Sequence, residues 1–331
     1  MPQTIRPATP QDIPRLIDLL LVDAQERFAV DRILWTMADD APEQIKQALT
    51  FALTADAQPF RQFWQVAEDA GRVTGVIHSM LLPVPPIYAG QFGDPGLILP
   101  DSVVVPDAPD GTVDALLAAA EDALRDAGAQ ITLSSYVTGA DWRHAFQRRG
   151  YDPLTLYLSR TDLSATATPP AIRLAAAEDV PGIVRRSAEN RQVLFDIDTF
   201  WDIHPDADAR FSRWMTRSLT LRDRDMFVSG PADRLDGYVI AQPASRLHFP
   251  PAHDIGKVGV IDDYYHPDMA DPTRLANVGH GATTLLRAAE GAFAARDVRA
   301  AFVVCPAGWQ SKIDVLTAAG FETAMIWSIK R

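Results

Sequence analysis

The chain has 331 residues, a formal net charge of −12, 47% hydrophobic and 22% charged residues, and one cysteine. That length carries two domains with ordinary cores, and the balance of apolar to charged residues excludes a disordered or fibrous chain. The acidic excess argues against a nucleic-acid partner, and apolar runs such as Ala115 to Ala120 are too short to span a membrane. The start Met-Pro-Gln-Thr carries no signal region, so a cytoplasmic protein is expected. Cys305 excludes an intrachain disulfide and, within the run Ala301 to Cys305, reads as a buried, inert thiol.

In chain order, a short strand Thr4 to Arg6 leads into a helix from about Gln11, with Thr9 and Asp12 at capping-box spacing. A second amphipathic helix is expected near Pro42 to Leu53. Strands follow at Phe63 to Glu68 and Val73 to Leu82, turned at Asp69-Ala70-Gly71. Next come a strand near Asp101 to Val105, a helix Thr112 to Ala127, a strand Ile131 to Ser135, a short helix Trp142 to Arg149 and a strand Leu154 to Arg160.

The order then repeats. Ile5-Arg6-Pro7 and Asp12-Ile13-Pro14 correspond to Ile172-Arg173-Leu174 and Asp179-Val180-Pro181 at an offset of 167. Gly75 pairs with Gly237, Leu116-Leu117 with Leu285-Leu286, and Gly150-Tyr151 with Gly320-Phe321, at offsets of 162, 169 and 170. Two domains are expected, residues 1–163 and 170–331, joined by a linker of small residues and prolines, Ser164 to Pro170. In the second copy, helices are expected at Val180 to Asn190 and Ala209 to Leu221. Strands follow at Met226 to Ser229 and Gly237 to Gln242, and the copy ends with strand Ala300 to Val304, helix Gln310 to Ala319 and strand Ala324 to Ser328.

The stretch with most chemical content runs from Lys257 to Leu286. Its β-branched start reads as a strand ending near Pro267, and its end as a helix entered through Val278-Gly279-His280-Gly281-Ala282. Glycines there let backbone amides approach an anion closely at the positive end of the helix, which suits a phosphate. The same glycines serve equally a tight loop into a helix. Asp262 and Asp263 are adjacent, so on a continuous strand at most one of them faces a cleft. The pairs His248/His253 and His204/Asp206 lack a third ligand at motif spacing, so no metal is expected. No Gly-x-Ser-x-Gly elbow is present.

These elements in this order resemble the GNAT superfamily of acyl-CoA N-acyltransferases, over both halves of the chain. The resemblance implies an α+β fold of two tandem GNAT-type domains, each a mixed, mostly antiparallel twisted sheet flanked by helices. It implies a coenzyme, acetyl-CoA or another acyl-CoA, lodged between two splayed strands, with Val278, Gly279, His280, Gly281 and Ala282 at its pyrophosphate. The backbone of Asp263, Tyr264 and Tyr265 would lie along its pantetheine arm, and Trp309 stands where the family often has Asn. By the same resemblance Asp262 is the expected base, with Tyr264 and Tyr265 as candidate proton donors. The family's tyrosine acid is Phe146 in the first copy and Leu316 in the second, and Ala276 stands where Gln or Arg is usual. Asp110 occupies the place of Gly279 in the first copy, where its charge opposes pyrophosphate. The expectation is therefore an acetyl-CoA-dependent N-acetyltransferase acting on a small amine through its second half, with the first half as scaffold and one wall of the acceptor site. Phe200 and Trp201 are candidates for another wall. The alternatives are a non-catalytic acyl-CoA-binding module and a mycothiol-synthase-like acetyltransferase.

Overall fold

The computed structural model describes residues 3–137, 142–165 and 168–331. Thr166 and Ala167 of the expected linker lie outside the described residues. The first copy comprises β1 (Thr4–Pro7), α1 (Ile13–Val30), α2 (Ala41–Thr54), β2 (Gln62–Asp69), β3 (Arg72–Leu81), β4 (Gly96–Ile98), β5 (Val103–Val104), α3 (Thr112–Asp126), β6 (Thr132–Val137), α4 (Trp142–Arg148) and β7 (Asp152–Arg160). The second comprises β8 (Ile172–Leu174), α5 (Val180–Ile197), α6 (Ala207–Ser218), β9 (Asp225–Ser229), β10 (Gly237–Pro243), β11 (Val258–Ile261), β12 (Tyr264–Tyr265), α7 (His280–Ala295), β13 (Ala300–Pro306), α8 (Gln310–Ala318) and β14 (Glu322–Lys330). The capping box at Thr9 and Asp12 is present, and Asp12 also receives two hydrogen bonds from Arg6.

Alternation along the strands decides which helices cover which face. Val66 and Val76 turn toward α1 and α2, against Leu16, Leu20 and Ile45, whereas their neighbours Ala67 and Ile77 turn toward α3. On α3 the residues Leu116, Leu117, Ala120 and Leu124 form one buried face, and each buried leucine is worth about 1.5–3 kcal/mol of apolar transfer.

The sheet does not break where the repeat does. Strand order is β1-β2-β3-β4-β6-β14-β7-β13-β11-β10-β9-β8 within one 14-stranded sheet. The last strand of each copy therefore lies against the other copy: β14 pairs with β6 and β7 with β13, both antiparallel. Sequence spacing could not expose this exchange, because both terminal strands carry similar apolar alternation and either fits either slot.

Two long loops also cross between the copies. The segment after β3 hydrogen-bonds to the second copy through Ala89 N to Asp202 O at 2.6 Å and His204 N to Ile87 O at 3.1 Å. The segment after β10 does the converse, through Ala38 N to Ala252 O and Asp254 N to Thr36 O, both 2.9 Å. They enclose an aromatic core in which Trp35, Phe249 and Phe302 meet on one face of the sheet.

Candidate functional site

Each copy contains one place where neighbouring parallel strands part. In the first, β4 pairs with β6 only as far as Ile98 and Ser134, after which the chain turns away and β5 pairs with β3 instead. In the second, β11 pairs with β13 as far as Ile261 and Val303, after which β12 pairs with β10. A parting of this kind leaves one strand edge with unpaired amides, the requirement for holding an extended, amide-bearing ligand.

The second gap is closed by the chain itself. Met269 and Trp309 are fully buried in it, and Trp309 Nε1 donates to Met269 O at 2.8 Å. Ser311 N donates to Pro272 O at 3.0 Å, tying α8 to the loop after β12. Lys312 Nζ donates to Tyr264 O at 3.3 Å, on the edge expected to receive the pantetheine arm.

The glycine turn is also occupied. Asp268, 3% exposed, accepts from Gly281 N at 2.8 Å, from Ala282 N at 3.3 Å and from Asn277 Nδ2 at 2.9 Å. The amides expected to meet pyrophosphate are thus satisfied by an internal carboxylate, whose charge would repel a diphosphate. Gly281 is needed for packing, since a Cβ there would sit 2.2 Å from the His266 ring. Gly279 donates its amide to Ala276 O, Val278 is exposed in a left-handed conformation, and the exposed His280 begins α7. Bare amides at residues 278 to 282 were expected. The loop from Pro267 is long enough to fold Asp268 back onto the helix end, and spacing alone does not reveal that return.

The two aspartates differ from expectation as well. The ladder is interrupted at Asp262–Asp263, so strand alternation does not apply, and both line one cavity of 390 Å³. Burial raises both carboxyls, Asp263 to about 7. Tyr264 and Tyr265 are buried in the core and outside that cavity. Burial raises both phenols, Tyr265 to about 12. Phe200, Trp201 and the first copy's Pro83 to Pro95 loop do line the cavity, beside Asp262.

The first gap is open. A cleft of 640 Å³ runs between Leu99–Pro106 and Ser135–Val137, bounded by α1 through Asp23, Glu26 and Arg27, and by Val113, Trp142 and Phe146. At its far end α3 starts behind Gly111, which has φ 82° and no side chain for a cap; Thr112 N donates to Pro109 O at 3.2 Å, and the amides of Val113 and Asp114 follow it in the first turn. Of the acids near that end, Asp107 is paired with Arg72 at 2.7 Å and Asp114 with Arg148 at 3.3 Å.

Behind the cleft wall lies a set of buried polar groups that the sequence pattern did not single out, of which Asp23 and Arg27 reach the cleft. Burial raises Asp23 to about 7, against the pull of Arg27, whose Nη1 lies 2.6 Å away as an ion pair without an aligned hydrogen bond. Arg27 also donates to Pro100 O at 2.9 Å and to His253 Nε2 at 3.0 Å. Asp101 lies 3.0 Å from His78 Nδ1, and His78 stacks on Trp64 at 3.9 Å between centroids. Asp101 matches Asp262 at the same offset, 161, that relates Pro106 to Pro267, which is the signal that could have found it. Tyr136 stacks on Phe146 at 5.9 Å between ring centroids, and both line the cleft. Burial raises Tyr136 and keeps it protonated.

A mixed, mostly antiparallel sheet flanked by helices, parted once in each of two copies, matches the tandem GNAT fold. The chain has that fold. No protein-family profile matches the sequence, and no curated protein matches it. Among solved structures it is similar to a tandem GNAT protein from the clavulanic acid biosynthesis pathway, at 17% identity and a TM-score of 0.50, over 99% of this chain and 97% of that one. It is also similar to a GCN5-related N-acetyltransferase from Sphaerobacter thermophilus, at 14% identity and a TM-score of 0.55, over 99% and 95%. Among the described residues no group of three or more His, Cys, Asp or Glu is placed to hold a metal, and no helix is long and apolar enough to cross a membrane.

Proposed function

We propose that this protein is an acyl-CoA-dependent N-acyltransferase whose coenzyme lies in the first half, between β5 and β6. The observation that carries this reading is the contrast between two equivalent gaps, one open over 640 Å³ and the other filled by Met269, Trp309 and Lys312. It moves the coenzyme from the half expected on sequence to the other. The likeness to a GCN5-related N-acetyltransferase supports the reaction class, with acetyl-CoA as the first donor to test and a small amine as acceptor.

The pantetheine amides pair with the free edge of Val103 to Val105, and the pyrophosphate meets the amides of Val113 and Asp114 at the start of α3, which has no side-chain cap. The amine enters past Glu26, whose charge draws a cation, and loses its proton to Asp23. A carboxyl near 7 is matched to that task at neutral pH. The nitrogen lone pair then attacks the thioester carbonyl, the C–S bond breaks, Tyr136 supplies the proton taken by the leaving thiolate, and the second proton shed by the nitrogen restores the Tyr136 phenol. Phe146 and Leu316 favour a second reading, in which the protein binds acyl-CoA without turnover.

The test is coenzyme binding by titration calorimetry together with CoA release over a panel of amines. Val113→Glu, in the open cleft, is expected to weaken CoA binding at least tenfold, while Val278→Glu leaves it unchanged. Loss in Val278→Glu with retention in Val113→Glu returns the coenzyme to the second half. Binding without CoA release across the panel establishes the second reading.

A further inference from the structure

The second copy, whose own gap is closed, reaches the groups behind the first copy's cleft through one side chain. The loop after β10 runs beside Trp35 to Ala38 of the first copy. Ala38 N donates to Ala252 O and Asp254 N to Thr36 O, both at 2.9 Å, and between these bonds Met37 and His253 form a single antiparallel bridge. Arg246 ties the loop down further, donating to His253 O at 2.6 Å and to Gln44 Oε1 of α2 at 3.0 Å. His253 is thus held by its backbone, and its ring is wholly buried beside the Trp35 ring, 5.3 Å between centroids.

Both ring nitrogens of His253 have defined roles. Nδ1 lies 3.0 Å from Trp35 O, a carbonyl that can only accept, so Nδ1 carries the proton. Nε2 is then bare and accepts from Arg27 Nε at 3.0 Å. The guanidinium is fixed at a second point, where Nη1 donates to Pro100 O at 2.9 Å, and two anchors set the plane of a rigid fork. Asp23 stands four residues before Arg27 on α1, the spacing at which such a pair ordinarily interacts along a helix. Here Asp23 Oδ2 lies 2.6 Å from Arg27 Nη1, yet no donor is aligned on it. The positive charge is close while the N–H groups point elsewhere.

On the reading of Asp23 as the base, we propose that His253 is its positioning residue, keeping Arg27 turned so that the guanidinium neighbours the carboxylate without donating to it. A carboxylate that accepts an arginine N–H holds its proton weakly and is a poor base for an amine. With those N–H groups engaged by His253 and Pro100, burial keeps the carboxyl near 7. The other charged groups acting here are Glu26 on α1 and Asp101 on the segment after β4, itself beside His78, with Arg246 acting on His253. Removing the Nε2 acceptor frees the guanidinium to turn, and Asp23 Oδ2 is the acceptor it then meets.

The test follows the Asp23 carboxyl in the full chain by 13C NMR with carboxyl-labelled aspartate, its signal identified by its absence from Asp23→Asn. His253→Asn keeps an N–H where Nδ1 stands but offers no acceptor at Nε2, whereas His253→Gln places an amide oxygen there. The Asp23 midpoint is expected to fall by at least about one pH unit in His253→Asn and to stay within about half a unit of wild type in His253→Gln. His253→Leu, which also lacks the acceptor, replaces His253→Asn if circular dichroism shows that variant misfolded. The wild type supplies a second check: 15N spectra of labelled histidine are expected to show His253 neutral, with its proton on Nδ1, from about pH 5 to 8. An unmoved midpoint in the variants lacking the acceptor, an equal fall in His253→Gln, or a proton on Nε2 overturns the assignment. These measurements need neither coenzyme nor turnover, so they decide the role of His253 separately from the coenzyme site. In a CoA-release assay, the rate limb near pH 7 is expected to move down with the midpoint in His253→Asn while KM for acetyl-CoA is unchanged; a limb that stays while the midpoint moves removes Asp23 from the reaction and leaves the contact with His253 standing.

Discussion

The Oδ2 atom of Asp268 lies 2.8 Å from the backbone nitrogen of Gly281, so the first turn of α7 is capped from inside the protein. A helix start with its amides so engaged has little left to offer a phosphate. The arrangement is a structural cap. Asp268→Ala is expected to lower unfolding free energy by about 1–3 kcal/mol, the range for losing a buried cap and its hydrogen bonds. Urea denaturation measures this, and a change inside 0.5 kcal/mol, on the scale of surface substitutions, would show that the cap is idle.

Gly281 answers to the same packing. With the His266 ring 2.2 Å from where a Cβ would be, Gly281→Ala forces the ring aside and is expected to destabilise by about 1–3 kcal/mol. Thermal unfolding followed by circular dichroism is the measurement. Unchanged stability would mean that His266 rearranges freely.

Asp110 is the charge that opposes a coenzyme in the first cleft. Its neighbours Asp107 and Asp114 are paired with arginines. Removing one such charge at a helix N-terminus is worth about 0.3–1 kcal/mol to a bound anion. Asp110→Asn is therefore expected to tighten CoA binding about two- to fivefold at low salt, and no gain at low ionic strength would place the diphosphate elsewhere.

Asp23 sets the expected pH behaviour. Arg27, Glu26 and Asp101 act on it, with His253 behind Arg27, and burial outweighs the arginine to hold the carboxyl near 7. Between the ordinary value of 3.8 and about 7 the native state keeps a proton that the unfolded chain has lost. Stability from this group therefore falls as pH rises through that window. Buried His248 and His253, lowered to about 4 and about 3, act in the opposite direction, so the difference between variants is the quantity to follow. From pH 4 to pH 7.5, Asp23→Asn is expected to gain on the wild type by about 2–4 kcal/mol. Its turnover is expected to drop about 100-fold or more, with loss of the rate limb near pH 7. Retention of that limb in the variant would remove Asp23 from the reaction.

The exchanged strands make a further prediction. Residues 1–163 alone lack β14, which leaves the β6 edge open, while β7 loses its β13 partner. An unpaired edge beside a free complementary strand invites reciprocal pairing. The fragment is expected to form a dimer in light scattering, and a well-folded monomer would show that β7 can fold back onto its own half.

Much of the architecture was readable from residue order. The Thr9 and Asp12 cap, the helices ending near Thr54 and Asp126, and the two-copy pattern all follow from local periodicity, because local contacts produce them. Strand β4 was missed, since Gly96-Leu97-Ile98 is too short to show alternation. The bond from Asp268 to Gly281 was not legible in the second half, because that return spans 13 residues and depends on a loop packing against α8. In the first half, Asp23 and Asp101 draw their significance from burial and from each other, which no spacing records.

The sequence by itself determined the two-copy, α+β character of this protein, because hydrophobic period and turn residues fix which segments become helix or strand. Which gap stayed open was decided only in three dimensions. That choice depends on whether distant side chains, Met269 against Trp309 and Asp268 against Gly281, find room to fill one gap while their counterparts leave the other empty.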